Sequence, residues 1–255
     1  MDLTEEVQTK KGVIKGITKE DFPAFWDGDY TYYWVLEIAK NGISLEDYEK
    51  LQLDVKIKPT HLDGGRHVLV LKTRRRGYSY KNSGLAVKQY SFHRKSKNFI
   101  AAFSKELYGT IVNITIRNLN FLNEHTGFAK TRDQVDKLTN DNFNVRASFL
   151  HTMPDGKKIE KGYLSEIKAI SFKDDPNALR GKKAQLILFE EAGSFNNLKA
   201  AWQVTKPSVE DGIYTIGQMV AFGTGGDMDN GTDFAEMFID YKKFQTFKST
   251  NNFEP

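Results

Sequence analysis

Four short apolar runs constrain this chain more than any other feature: HVLVL at 67–71, NFIAAF at 98–103, AQLILFEEAG at 184–193 and QMVAFGTGG at 218–226. Each is near-continuous rather than alternating, so each predicts a strand covered on both faces. Segments of helical period lie among them, at 79–92, 104–124, 194–207 and 232–243. Buried strands alternating with helices predict an α/β fold, a mostly parallel sheet with right-handed crossovers covering both faces. NVRASFLH (144–151), the PDGK turn (154–157) and GYLSEIKAISF (162–172) predict an antiparallel hairpin at its edge. Residues 17–51 read as largely helical and rich in aromatics, with Thr18 and Asp21 at capping-box spacing. The helix at 104–124 has an apolar stripe through Leu107, Ile111, Ile114 and Phe121, which Asn118 interrupts.

Composition supports a packed domain and removes several chemistries. The chain has 255 residues, 39% hydrophobic and 13% aromatic, enough for a substantial core. It has no cysteine, so disulfides, thiolate zinc sites and cysteine nucleophiles are out, which fits a cytosolic protein. The five histidines show no i,i+4 pairing, and no nucleophile elbow accompanies Ser, His and Asp. No apolar run nears the roughly 20 residues of a membrane span. The charged start MDLTEEVQTKKG does not read as a signal peptide. Net charge is only +4, but KTRRR (72–76), HRKSK (93–97) and RGKK (180–183) are local clusters of the kind that attract phosphate. A solvated surface carries such clusters too.

The chemistry collects at the carboxyl ends of three of the apolar strands, where ligands of such sheets bind. After HVLVL comes KTRRRGYS (72–79). Aligned with the phosphate-binding loop G-x-x-x-x-G-K-[ST], Gly77 and Ser79 fall on the last glycine and the hydroxyl, Lys72 on the first glycine and Tyr78 on the lysine. The loop and the following helix N-terminus, Lys72, Thr73, Arg74, Arg75, Arg76, Gly77, Tyr78, Ser79 and Tyr80, offer backbone N–H groups and a favourable dipole end to phosphate. Ser79 is placed as a Mg²⁺ ligand. Tyr78 supplies no cation; Lys72, Arg74, Arg75 or Arg76 could, and loss of Arg75 or Arg76 is expected to weaken nucleotide binding more than loss of Lys81. By itself the loop reads equally well as a basic turn. LILFEE then fits the Walker B strand of a nucleoside triphosphatase: Glu190 to hold Mg²⁺ and Glu191 to polarise the attacking water. FGTGG (222–226) provides a glycine turn, Gly223, Thr224 and Gly225, with Thr224 placed to sense the γ-phosphate.

Taken in this order, the three pieces resemble the ATPase domain of tailed-bacteriophage large terminases, over roughly residues 60–240. SEIKAISFKDDPNALRGKKAQLILFEEAG (165–193) is similar to that family's run of strand, acidic-proline turn, Leu-Arg-Gly and Walker B strand. FGTGG is similar to its coupling motif, and arginine-crowded, deviant Walker A loops are usual there. The resemblance implies a P-loop fold of the additional-strand, catalytic-glutamate type that uses ATP and Mg²⁺. It implies Glu191 as the catalytic glutamate, Arg180 as a finger toward a neighbouring subunit, and coupling through Thr224. It further implies a homo-oligomeric ring on double-stranded DNA, with portal protein and small terminase subunit as partners, no membrane, and work in the host cytoplasm at the procapsid. The expected layout is an N-terminal aromatic lid or adenine-side region at 1–60, the ATPase core at 61–245 and a tail at 246–255. The family's nuclease domain has no counterpart in this sequence. The aspartates of DMDNGTD (227–233) read as loop and helix cap rather than its metal site. Phe22, Phe25, Trp26, Tyr30, Tyr32, Tyr33 and Trp34 are expected to be mainly core, with stacking on adenine the functional alternative. A nucleotide- or DNA-binding scaffold without hydrolysis, and a helicase-like P-loop motor, are the other readings.

Overall fold

The computed structural model describes residues 2–9, 12–20, 25, 27–74, 76–127, 143–173, 177–225, 231–247 and 249–251. Strands β1 (Asp2–Thr9) and β2 (Gly12–Glu20) pair antiparallel. Helices α1 (Asp27–Asn41) and α2 (Leu45–Leu51) precede β3 (Val55–Ile57) and β4 (Val68–Leu71). Next come α3 (Tyr78–Phe92), β5 (Lys97–Ala102) and α4 (Lys105–His125). β6 (Asn144–Thr152) and β7 (Lys158–Ser171) form a hairpin. β8 (Leu186–Glu190), α5 (Leu198–Thr205) and the two-residue strands β9 (Glu210–Asp211) and β10 (Tyr214–Thr215) follow. The described chain ends with β11 (Gln218–Gly223), α6 (Thr232–Ile239) and β12 (Ser249–Asn251), the last paired with β3.

The central sheet has six strands in the order β4-β11-β8-β5-β7-β6. All neighbours run parallel except β6, which lies antiparallel to β7 at the edge. β8 shows why the apolar runs are continuous. Leu186 and Leu188 enter a core with Leu85, Ile111 and Ile167, while Ile187 and Phe189 enter a second with Trp202, Phe234 and Met237. Both faces are covered, so alternation has no place in such a strand. Each large side chain buried this way contributes about 1.5–3 kcal/mol. In α4, Asn118 breaks the apolar stripe because it donates to Ser83 Oγ of α3 (3.0 Å), beside a Thr115–Ser83 hydroxyl pair at 3.1 Å. The polar break is an interhelix contact.

Residues 17–51 depart from the expected helix. Residues 17–20 belong to β2, and residues 42–44 separate α1 from α2. Thr18 lies in a strand, paired with Thr4, and Asp21 lies outside the described residues. Val13, Ile14, Ile17 and Thr18 are β-branched, which favours the extended chain. Ala192–Ser194 forms a 3-10 turn, so α5 starts at Leu198 rather than 194, and α6 stops at Ile239 rather than 243.

Candidate functional site

The loop after β4 is fixed at both ends. The Lys72 amide donates to Gly223 O at the tip of β11 (2.9 Å), and Gly77 takes φ +71° as it caps α3. A left-handed turn there suits glycine, which has no Cβ to strain it. The first N–H groups of α3 consequently open onto the loop, as an anion site requires. Ser79, in the first turn, donates its hydroxyl to Glu190 Oε1 at 2.9 Å across 111 residues of sequence. Lys72 places Nζ 3.0 Å from Glu191 Oε1 across 119 residues. Both carboxylates of β8's tip thus already engage the loop.

Glu190 is 2% exposed. Burial pushes its carboxyl up to about 7, and Glu191 adds to this, against the Ser79 hydrogen bond and the Lys72 charge. Its Oε2 is buried with no hydrogen-bond partner among the described residues. A buried carboxylate oxygen left open beside a hydroxyl fits a hard divalent cation, so Glu190 and Ser79 would hold Mg²⁺. No cluster of three or more His, Cys, Asp or Glu residues suited to a metal occurs among the described residues. Glu191 sits at φ +49°, a left-handed turn that carries the chain away from the strand directly after Glu190. The coupling turn presses against this corner: a Cβ on Gly223 would lie 2.6 Å from the Ala192 nitrogen. Only glycine lets β11 end there.

Tyr78 does not enter the cradle. Its ring packs edge-on to Tyr32 (5.1 Å between centroids), under the Lys81 ammonium 4.7 Å from its centre. Lys81 in turn pairs with Asp29 at 2.7 Å, both side chains largely buried. This ion pair between α1 and α3 had no signal in the sequence, since neither residue belongs to a motif. Thr73, Arg74 and Arg76 are exposed, Tyr80 is half-buried, and Arg75 lies outside the described residues. Thr224 is half-buried and Gly225 exposed. Arg180 is exposed on a turn anchored by the buried Leu179, and no described contact joins it to the site. Of the N-terminal aromatics, Tyr32 is core, Tyr33 and Trp34 pack against it, and Phe25 stacks on Tyr33 (5.9 Å, 13°). Phe22 and Trp26 lie outside the described residues, as do residues 227–230; Asp233 of the same acidic run pairs with Lys199 at 3.1 Å.

A strand inserted between the loop strand and the acid-bearing strand, with the site at their carboxyl ends, defines a P-loop α/β fold of the additional-strand type. Among solved structures this fold matches the ATPase domain of the large terminase of Thermus phage P74-26. The superposition has TM-score 0.50 at 19% identity and covers 69% of this chain and 64% of that one. A point mutant of the same domain gives 0.51 at the same identity and coverage. The chain therefore shares the fold of a phage large-terminase ATPase domain and spans less than two thirds of that chain's length. No family model matches the sequence, and no curated protein matches it.

Proposed function

We propose that this chain is an ATP-hydrolysing motor domain of the large-terminase type, acting with Mg²⁺ to move double-stranded DNA into a procapsid. One observation carries the reading: Lys72, from the loop, and Ser79, from the first turn of α3, already touch Glu191 and Glu190 at the end of the acid strand two places away in the sheet. In this reading the amides from Gly77 onward hold the phosphates, and Lys72 supplies the cation that Tyr78 cannot. Phosphate arriving in the loop competes for Lys72, which frees Glu191 to accept a proton from the attacking water. Ser79 and Glu190 would hold Mg²⁺, which would supply positive charge against that of the phosphates. Thr224 couples the site to movement, and Arg180 serves a neighbouring subunit's nucleotide in a homo-oligomeric ring. Portal protein and small terminase subunit are the proposed partners, in the host cytoplasm. No described helix is long and apolar enough to cross a membrane.

Thermal unfolding with ATPγS, with and without Mg²⁺, tests the reading before any turnover assay. Ligand at about 100 times its Kd adds ~2.7 kcal/mol, which for a chain this size raises Tm by roughly 5–10 °C. Glu191→Gln should keep that rise and lose about 100-fold or more in hydrolysis. Absence of a Mg²⁺-dependent rise overturns the proposal. The packing of Tyr78 into the aromatic core favours one second reading, a nucleotide-binding scaffold; it predicts the rise with no turnover above background in either the parent or Glu191→Gln.

A further inference from the structure

The two faces of the sheet are not covered alike. Beside β6 and β7, Ile167, Val145 and Ala147 face the core shared with α3 and α4. On the opposite face the apolar cover extends no farther down β7 than Ile170. Below it lie Lys168 and Glu166, with Lys97 cross-strand from Glu166 and Arg146 on its other side. Lys97, Lys168, Lys182 and Glu166 line one cleft of about 200 Å³. Farther out, where β7 pairs with β6 alone, Lys158 continues the row.

The two acids on this face share one guanidinium, so with Arg146 they leave one net negative charge against four lysines. Glu160 and Glu166 both bind the Arg146 guanidinium, with Glu166 at 2.8 Å. Lys97, Lys158, Lys168 and Lys182 have no carboxylate partner among the described residues, so the face carries unpaired positive charge. Lys168 and Lys158 stand across from Asn144 and Thr152, so the row runs about 26 Å at 3.3 Å per residue, about three quarters of the roughly 34 Å of one duplex turn. The one aromatic ring in the cleft, Phe99, is 3% exposed and offers nothing for a base to stack on. Single strands are held by such stacking platforms; a duplex needs cations along its backbone.

We propose that this bare face of β6 and β7, with Lys97, Lys158, Lys168 and Lys182, docks the phosphate backbone of duplex DNA without reading its sequence. It stands toward the amino ends of the parallel strands, opposite the nucleotide. The inference rests on the motor reading only for its purpose, since its evidence is the charge and reach of the face.

The test is anisotropy of a labelled 30-base-pair duplex between 50 and 200 mM salt. A variant combining Lys97→Gln, Lys168→Gln and Lys182→Gln is compared with a control of equal charge, Lys56→Gln, Lys105→Gln and Lys242→Gln. Removing three phosphate contacts lowers the salt slope by about 2.7, so across that range the unaltered chain should lose about 40-fold more affinity than the variant. The control should keep the full slope. Equal slopes in both variants, or no duplex binding at 50 mM salt, overturn the proposal. So does tighter binding of a single strand, or displacement of the duplex by polyglutamate of matched charge, which points to an acidic protein partner. ATPγS stabilisation of the same variant separates the two readings: its persistence with an unchanged salt slope sinks the docking face alone, and its absence with an altered slope sinks the motor alone.

Discussion

At pH 7 the Glu190 carboxyl is near half-protonated, because burial has pushed it up to about 7. The same group in an unfolded chain titrates near 4.5, so between those values the folded chain holds the extra proton. Stability supplied by this group is complete below 4.5 and lost as pH rises through about 7. The shift is worth on the order of 3 kcal/mol. Glu190→Gln should therefore gain up to about 3 kcal/mol over the parent at pH 8 and little at pH 5. Urea unfolding at both values checks this, and a gain independent of pH would count against a strained acid. The lysines divide in the same way. Lys72→Ala should weaken nucleotide binding by about tenfold or more, since a charged hydrogen bond is lost, and Arg76→Ala by less. Lys81→Ala should leave affinity within about twofold yet lower stability, because the largely buried Asp29 loses the Lys81 ammonium. Isothermal titration and denaturant unfolding on the three variants separate these roles. A large affinity loss from Lys81→Ala would put Tyr78 and its neighbours inside the site.

Among the elements, β11 makes the tightest approach. Gly223→Ala puts a methyl 2.6 Å from a backbone nitrogen of the turn after Glu191, where no flexible side chain can yield. It should lower stability by about 2 kcal/mol or more, visible as a Tm drop of at least ~4 °C. Gly225→Ala meets nothing nearer than Leu71 Cδ1 at 4.0 Å and should be silent in the same melt. The strands that build this corner were legible because doubly covered strands read as unbroken apolar runs, and parallel topology puts their loops at one end. The β6–β7 hairpin was legible from its Pro-Asp-Gly turn. β1 and β2 were not: the aromatics of α1 drew a helical reading back over residues 17–20, although their neighbours are β-branched. Within the site, the nearness of Ser79 and Glu190 follows from their motifs once the strands are placed, whereas the Lys72–Glu191 pair does not, because Lys72 stands where the motif has a glycine. The direction of Tyr78 does not, because it depends on Tyr32 and Lys81, which the motif does not include.

Across the whole molecule, strand order and chain order disagree most at the strand before the Lys72–Gly77 loop. β4 precedes every other strand of the central sheet in sequence, yet its neighbour there is β11, and its other described pairing is a bridge from His67 to Thr246. β5, β7, β6 and β8 pair among themselves and need neither β4 nor β11 to begin. During synthesis at about 5–20 residues per second, the loop strand then waits roughly 10–30 seconds for its partner to leave the ribosome. A growing chain can assemble the basic hairpin edge early, but the loop after β4 gains its sheet neighbour only once β11 has been made. Under the proposed function, a nucleotide at that loop could not chaperone the first steps of folding; it could only reward a chain in which β11 is already paired with β4.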